Sequence, residues 1–127
     1  YNKVSVPKMT EIRRDCMQLK TEEIEDIVLI EIQEERMDAH NSGTFKEQML
    51  ALFDEGKCKL IIDLSAVRFV DSSGLGALVS GFKNASAREG SLKLCGLQPQ
   101  VRSMFELTRL HRVFEIFGSV DEAQESF

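Results

Sequence analysis

The residues with the clearest chemical potential lie together in the middle of the chain. A junction between an apolar run, KLIIDL, and a segment with leucines at helical spacing contains Asp71, Ser72, Ser73 and Gly74. One carboxylate beside two hydroxyls fits a nucleophile, a phosphate-binding loop, a helix cap or a phosphorylation site. The surrounding sequence has to separate these four alternatives.

Enzyme chemistry at this junction lacks the residues that it would need. A serine nucleophile of the hydrolase type requires the pattern G-x-S-x-G and a histidine base, but no glycine lies two residues before either serine. The chain has two histidines, His40 and His111, which we expect to be surface or packing residues. We therefore predict that the protein is not an enzyme and has no catalytic residue.

Nucleotide and metal sites are also poorly supported. The phosphate-binding loop of nucleotide-binding proteins follows G-x-x-x-x-G-K-S/T, whereas the glycines at 74 and 76 are followed by no lysine before Lys83. No cysteine and histidine pair has the spacing of metal ligands, and a lone Asp71 does not make a metal site. We expect no metal and no cofactor.

Helix capping explains only part of the junction. Asp71 or Ser72 can accept hydrogen bonds from the first helical turn, which is worth about 1 kcal/mol, and Gly74 permits a tight turn. A cap does not require three polar side chains in a row, nor an outward face of small residues at 74–77. A phosphoserine adds roughly −1.5 to −2 charges, which a helix N-terminus tolerates but an acidic docked partner does not. The residues therefore favour a phosphorylation switch that alters binding without altering the fold.

The rest of the chain predicts one layered α/β domain. Its 127 residues are enough for a two-layer core. Three strand-like runs, DIVLIEI, KLIIDL and SLKLCG, alternate with helical segments, while CMQLK and RVFEIFG read as an edge strand and a short last strand. This alternation predicts a mainly parallel or mixed sheet with helices packed on it. Binding sites in such folds gather where strands end and helices begin, which is where the DSSG junction lies.

Helix boundaries are marked by capping and stop signals. Capping boxes begin at Thr44 and Ser119, and Pro99 opens a third helix in its first turn. Gly56 is the predicted stop of the first helix, and the helix after the DSSG junction is predicted to end near Gly90.

Composition excludes several classes of partner. The net charge is −5 and no basic patch is present, so we expect no direct contact with nucleic acid. No apolar run approaches the roughly 20 residues of a membrane-spanning helix, and no secretory leader is evident. The cysteines, Cys16, Cys58 and Cys95, are expected to be buried thiols in a reducing compartment. These features predict a cytoplasmic protein, and they leave a homodimer open.

The segment LIIDLSAVRFVDSSGLGALVSGFK closely resembles the core of bacterial STAS domains of the anti-sigma factor antagonist family. The hallmark of that family is an apolar strand, the segment L-x-x-V-x-F-x-D-S-S-G-L-G and a helix. The resemblance runs from about residue 24 to the C-terminus. It implies a STAS fold, with a mixed sheet of four or five strands and about four helices, for residues 24–127. Residues 1–23 would be an N-terminal extension or an edge strand.

The resemblance also implies a function. In such antagonists the serine after the Asp, here Ser72, is phosphorylated by an anti-sigma factor that is itself a serine kinase and binds the ATP. The unphosphorylated antagonist binds this kinase and frees a sigma factor, the phosphorylated form lets go, and a PPM-type phosphatase resets the switch. Asp71 would orient the acceptor hydroxyl. The expected partner-binding residues are Asp38, Asp71, Ser73, Gly74, Leu75 and Gly76.

The sequence leaves three questions open: how far the turn after the second strand matches the family, which way Leu75 points, and which of two functions applies. Family members usually carry a Gly-Glu-Leu/Ile-Asp turn after the second strand, and here Met37 and Asp38 match it while the glycine is absent. Leu75 could face either a partner or the sheet. The alternative function is that of a STAS scaffold or regulatory domain in a stress-signalling complex or at the cytoplasmic end of an anion transporter.

Overall fold

The structure, a computed structural model, describes residues 17–127. The predicted extended piece VSVPKM and the predicted buried thiol of Cys16 lie outside the described residues. Strand β1 overlaps the predicted edge strand CMQLK and crosses the boundary expected at residue 24. The division of the chain at that boundary therefore stays a prediction.

Five strands form a mixed sheet. They are β1 (Leu19–Ile24), β2 (Ile27–Ile32), β4 (Lys59–Asp63), β6 (Ser91–Cys95) and β7 (Glu115–Phe117). Their spatial order is β1-β2-β4-β6-β7, with β1 antiparallel to β2 and the other pairs parallel. Two short strands, β3 (Arg36–Met37) and β5 (Phe69–Val70), form a separate parallel pair.

Within residues 17–127, four α-helices pack with these strands. They are α1 (Ser42–Asp54), α2 (Ser72–Ala87), α3 (Pro99–Leu107) and α4 (Val120–Glu125), and a 3-10 turn covers Leu110–Arg112. A five-stranded mixed sheet with four helices confirms the predicted fold class.

The two faces of the sheet are covered unequally. Side chains alternate between faces along a strand, and the even-numbered residues of β2, β4 and β6 join the large core beneath α1, α2 and α3. Odd-numbered residues, among them Ile27, Ile61 and Cys95, form a smaller cluster with Ala123 of α4. Burial on both faces explains why KLIIDL is an almost continuous apolar run.

A buried lysine ties the C-terminal turn to this second face. Lys93, in the middle of β6, is 5% exposed. Its Nζ donates to the Ser126 carbonyl at 3.1 Å and to the Ser126 hydroxyl at 2.7 Å, and it pairs with Glu115 at 3.2 Å. The ammonium also lies 4.3 Å from the centre of the Phe127 ring. A buried ammonium requires such partners, so the sheet and the end of α4 are mutually dependent.

The helix-boundary predictions have mixed outcomes. Ser119 caps α4 by accepting from the Glu122 N–H at 3.2 Å, which confirms the predicted helix start. The Glu122 carboxylate accepts from the Gly118 N–H at 3.0 Å, one residue before the N-cap. Gly56 follows α1 with a φ of 84°, as the predicted stop requires. The capping box at Thr44 is wrong, because α1 begins at Ser42 and Thr44 already lies inside it.

The helix after the junction ends at Ala87, near Gly90 as predicted. Glu89, not Gly90, takes the left-handed conformation, with a φ of 61°. Gly90 is needed for a different reason, since a Cβ there would lie 2.0 Å from the Cys58 carbonyl oxygen. Close approach of two backbones selects the glycine.

The predicted burial of the cysteines holds for one of the two described residues. Cys95 is fully buried, whereas Cys58 is half-buried. Two causes raise the pKa of Cys95 to about 12: burial, which is the larger, and the nearby Asp63 carboxylate.

We expect this difference to appear in thiol reactivity. In a Cys16→Ser background at pH 8, the Cys95 thiolate fraction should be roughly 10³-fold below that of an ordinary thiol. Ellman's reagent should therefore titrate one thiol rapidly, that of Cys58, and a second only after urea is added. Two thiols that react equally fast in the native protein would contradict the placement of Cys95 under α4.

Candidate functional site

The DSSG junction lies between β5 and α2, and its Asp71 is the N-cap of the helix. The Asp71 backbone is extended, and its Oδ1 accepts from the Gly74 N–H at 3.0 Å. Its carbonyl accepts the first helical hydrogen bond, from the Leu75 N–H at 2.9 Å. Of the two candidate caps, Asp71 and Ser72, the carboxylate does the capping.

The two serines are left free by this arrangement. Ser72 and Ser73 are the first two residues of α2, and both are exposed. Within residues 17–127, neither hydroxyl makes a hydrogen bond. Because capping engages Asp71 alone, both hydroxyls are available to a group outside the chain.

Gly74 anchors the start of α2 to β3. It is buried, and a Cβ at this position would lie 2.6 Å from the Met37 carbonyl oxygen and 2.8 Å from Val70 Cγ1. Only glycine lets the helix approach the β3 backbone so closely. The glycine is therefore required by packing, and not by the tight turn expected from the sequence.

The small residues at 74–77 would suit either a docked partner or close packing of the helix on its own sheet, and the structure has the close packing. Gly74, Leu75 and Ala77 all face the interior, and Leu75 is 8% exposed within the large core. Gly76 alone is exposed, and a Cβ added at this position would have no atom within 4 Å. Of the two orientations left open for Leu75, the structure has the one that faces the sheet.

A short parallel ribbon, absent from the sequence prediction, brings a second segment to the junction. Arg36 pairs with Phe69 and Met37 with Val70, and the Asp71 N–H donates to the Met37 carbonyl at 3.0 Å. The turn that follows Met37 therefore lies beside the start of α2. Two-residue strands carry no periodic signal, so the sequence pattern could not reveal them.

Asp38 occupies that turn and is held by several hydrogen bonds. Its carboxylate accepts from the His40 N–H at 3.0 Å and pairs with Arg36 Nε at 3.4 Å. The Asp38 N–H donates to Asn41 Oδ1 at 2.9 Å. Burial opposes ionisation, but the hydrogen bonds from His40 and Arg36 keep the pKa of Asp38 below its usual value. Asp38 thus presents a formed negative charge next to the junction.

Arg36 and Phe69 were not predicted as site residues. The Arg36 guanidinium lies 4.4 Å from the centre of the Phe69 ring, and the Arg36 and Phe69 residues are both exposed. We call Arg36, Asp38 and Phe69 the ribbon face. No periodic signal marks Phe69, because Val67, two residues earlier, is fully buried whereas Phe69 is exposed.

Other kinds of site find little support in the described part of the chain. Residues 17–127 contain no group of three or more acidic, His or Cys side chains that could hold a metal ion. In the same residues, no helix combines the length and the apolar character needed to cross a bilayer. His40 and His111 both lie at the surface, as expected.

The two glycines of the junction provide a matched test of this geometry. Gly74→Ala should lower the free energy of unfolding by about 1–3 kcal/mol, because the new methyl group overlaps the β3 backbone. Gly76→Ala, two residues along the same helix, should be neutral or stabilise by up to about 1 kcal/mol. Urea denaturation of both variants measures the difference. Equal effects would contradict the close packing of α2 on β3.

Comparison with known proteins identifies the family. A family model for the STAS domain matches residues 18–123. The anti-sigma-B factor antagonist of Listeria monocytogenes is 35% identical over 80 residues, which cover 63% of this chain and 70% of that protein.

Solved structures share the fold. An anti-sigma factor antagonist from Mycobacterium paratuberculosis has a TM-score of 0.78 at 22% identity, over 89% of this chain and 95% of that one. The Bacillus cell fate determinant SpoIIAA in the phosphorylated form has a TM-score of 0.69 at 20% identity, over 86% and 98% of the two chains. The family match extends across the sheet, the ribbon and the DSSG junction. The chain therefore belongs to the STAS domain family and, within it, to the anti-sigma factor antagonists.

Proposed function

We propose that this protein is switched by phosphorylation of Ser72. In the unphosphorylated state it binds an anti-sigma factor that is also a serine kinase, and a sigma factor is released. Phosphorylation ends this binding, and a PPM-type phosphatase restores it. The observation that carries the proposal is the exposed Ser72 hydroxyl, which has no hydrogen-bond partner in the described chain and stands directly after the capping Asp71.

The position of Ser72 suits a phosphate acceptor. A kinase must reach the hydroxyl, and Ser72 is exposed at the tip of a helix whose next turn is anchored by Gly74 and Leu75. The kinase supplies ATP and the transfer chemistry. Asp71 is close in sequence and orients the acceptor region, although its Oδ1 is already engaged by the Gly74 N–H.

The added charge affects the partner more than the fold. A phosphate on Ser72 would lie at the positive end of the α2 dipole, where anions are stabilised. The phosphate would add roughly −1.5 to −2 charges next to Asp71, which would repel an acidic group on a docked protein. Release without unfolding is the expected result.

The residues proposed to bind the partner divide by exposure. Ser73 and Gly76 are exposed and Asp38 is partly exposed, so these can contact a docked kinase directly. Gly74 and Leu75 are buried and act by positioning the start of α2. Relatives of the same fold support the switch, because SpoIIAA is known in phosphorylated and unphosphorylated forms.

Variants at Ser72 separate charge from structure. Ser72→Asp should leave the far-UV circular dichroism and the melting temperature nearly unchanged, since the side chain is exposed at a helix N-terminus. It should weaken binding to the kinase by roughly 10²-fold or more. Ser72→Ala should abolish phosphate incorporation and retain binding. Loss of the fold in Ser72→Asp would contradict the proposed role of the helix tip.

The most direct test is intact-mass spectrometry with phosphopeptide mapping of the protein from its native cells under several growth conditions. A single phosphate on Ser72 that changes with conditions is the expected result. Phosphate on Ser73 would move the acceptor by one residue. An unmodified protein under every condition would instead favour a constitutive STAS scaffold.

A further inference from the structure

An arginine lies on an exposed aromatic ring beside the proposed phosphorylation site. The Arg36 side chain is 61% exposed, and its guanidinium is 4.4 Å from the centre of the Phe69 ring. Phe69 is 41% exposed and is one of five large apolar residues that stand out in the described chain. An exposed ring next to an ordered cation is a feature that the fold itself does not need.

The Arg36 guanidinium contacts Asp38 and Phe69, but most of its hydrogen-bond donors have no partner within residues 17–127. Its Nε pairs with Asp38 Oδ2 at 3.4 Å, and the Phe69 ring supports one face of the group. Of the five N–H donors of an arginine, the four on the two Nη atoms have no hydrogen-bond partner within residues 17–127. An arginine whose rotamer is already ordered loses less entropy when it binds.

The ribbon face is continuous with the acceptor serine. Arg36 and Phe69 are paired in register, and the Asp71 N–H joins the same ribbon through the Met37 carbonyl. Ser72 directly follows Asp71, so the acceptor serine is one residue from this backbone contact. A protein that covers the Ser72 hydroxyl would also cover the ribbon face.

We infer that Arg36, supported by Phe69, determines partner specificity by receiving a carboxylate of the docked kinase. This inference rests on the proposed function. The unused Nη atoms form the fork that an Asp or Glu side chain binds with two parallel hydrogen bonds. The exposed Phe69 ring adds an apolar contact, and arginine with aromatic residues is the composition of binding hot spots.

The surrounding charges favour a protein carboxylate over a free polyanion. Asp38 and Asp71 directly follow the two paired strands of the ribbon, at the same end. Both carboxylates repel a small, highly charged anion, whereas a single carboxylate on a protein can approach Arg36 alone. The same geometry gives the switch a physical cause. A phosphate on Ser72 would repel the carboxylate bound at Arg36 and compete with it for the cation.

The test measures phosphorylation of purified variants by an extract of the native cells with labelled ATP. At limiting antagonist concentration the initial rate of Ser72 labelling reports binding to the kinase. Arg36→Glu should reduce this rate by about tenfold or more, and Arg36→Gln should reduce it less. Phe69→Ala should also reduce it. Arg112→Glu, which makes the same charge change at another exposed arginine, should stay within about twofold of the wild type.

The outcomes separate this inference from the proposed function. Equal labelling of the wild type and Arg36→Glu would overturn the role of Arg36 and leave the Ser72 switch intact. The same result would be obtained if Arg36 bound only the phosphoserine formed after transfer. Absence of labelling in the wild type would overturn the proposed function itself. Circular dichroism of each variant shows whether a reduced labelling rate reflects unfolding. If Arg36→Glu fails to fold, Arg36→Gln provides a second variant, because it adds no charge repulsion with Asp38.

The nature of the partner group can be tested by selection. Kinase variants that restore labelling of Arg36→Glu should replace an Asp or Glu by Lys or Arg. Restoration only through variants that keep every acidic residue would overturn the assignment of a carboxylate.

Discussion

The candidate site depends on the close contact between the start of α2 and β3. Gly74 lies so near the Met37 carbonyl that a Cβ would come within 2.6 Å of it, and the Asp71 N–H donates to the same carbonyl. These two interactions hold the strand-to-helix junction on the ribbon. Because these two contacts hold the backbone, the Ser72 and Ser73 hydroxyls can remain without hydrogen bonds while the junction keeps its conformation. Ser72 is thus presented on a rigid support, which suits the proposed role of an acceptor that a second protein modifies.

Along α2, burial and exposure change from one residue to the next. Leu75 and Ala77 belong to the core, while Ser72, Ser73 and Gly76 face outward. This separation means that a charged group can be added on the outer side without entering the core. A negative charge added on this outer side would leave the core intact, but it would change which proteins can dock at the junction. The proposed switch would therefore need no conformational change within the domain.

Much of the architecture could be predicted from the sequence. Apolar runs of strand length, the Pro99 helix start and the Ser119 capping box all correspond to observed elements, because they depend on local periodicity and on local hydrogen bonds. The errors arose where a local signal competed with a tertiary contact. Thr44 carries a capping motif, yet the helix begins earlier because Asn41 and the Asp38 turn organise its start. Gly74 was expected to permit a tight turn, but the close approach of the Met37 backbone explains the glycine.

The same division applies to the candidate site. The sequence by itself determined the DSSG junction, its position between a strand and a helix, and the family resemblance that singles out Ser72. Which side chain caps the helix, which way Leu75 points and which residues lie beside the serine were decided only by the tertiary structure. Arg36 and Phe69 are more than thirty residues apart, and their two-residue strands have no periodic pattern of their own. Their contact exists because the junction and the segment after β2 pack against each other. Packing between segments that are distant in the chain is not encoded in local sequence patterns.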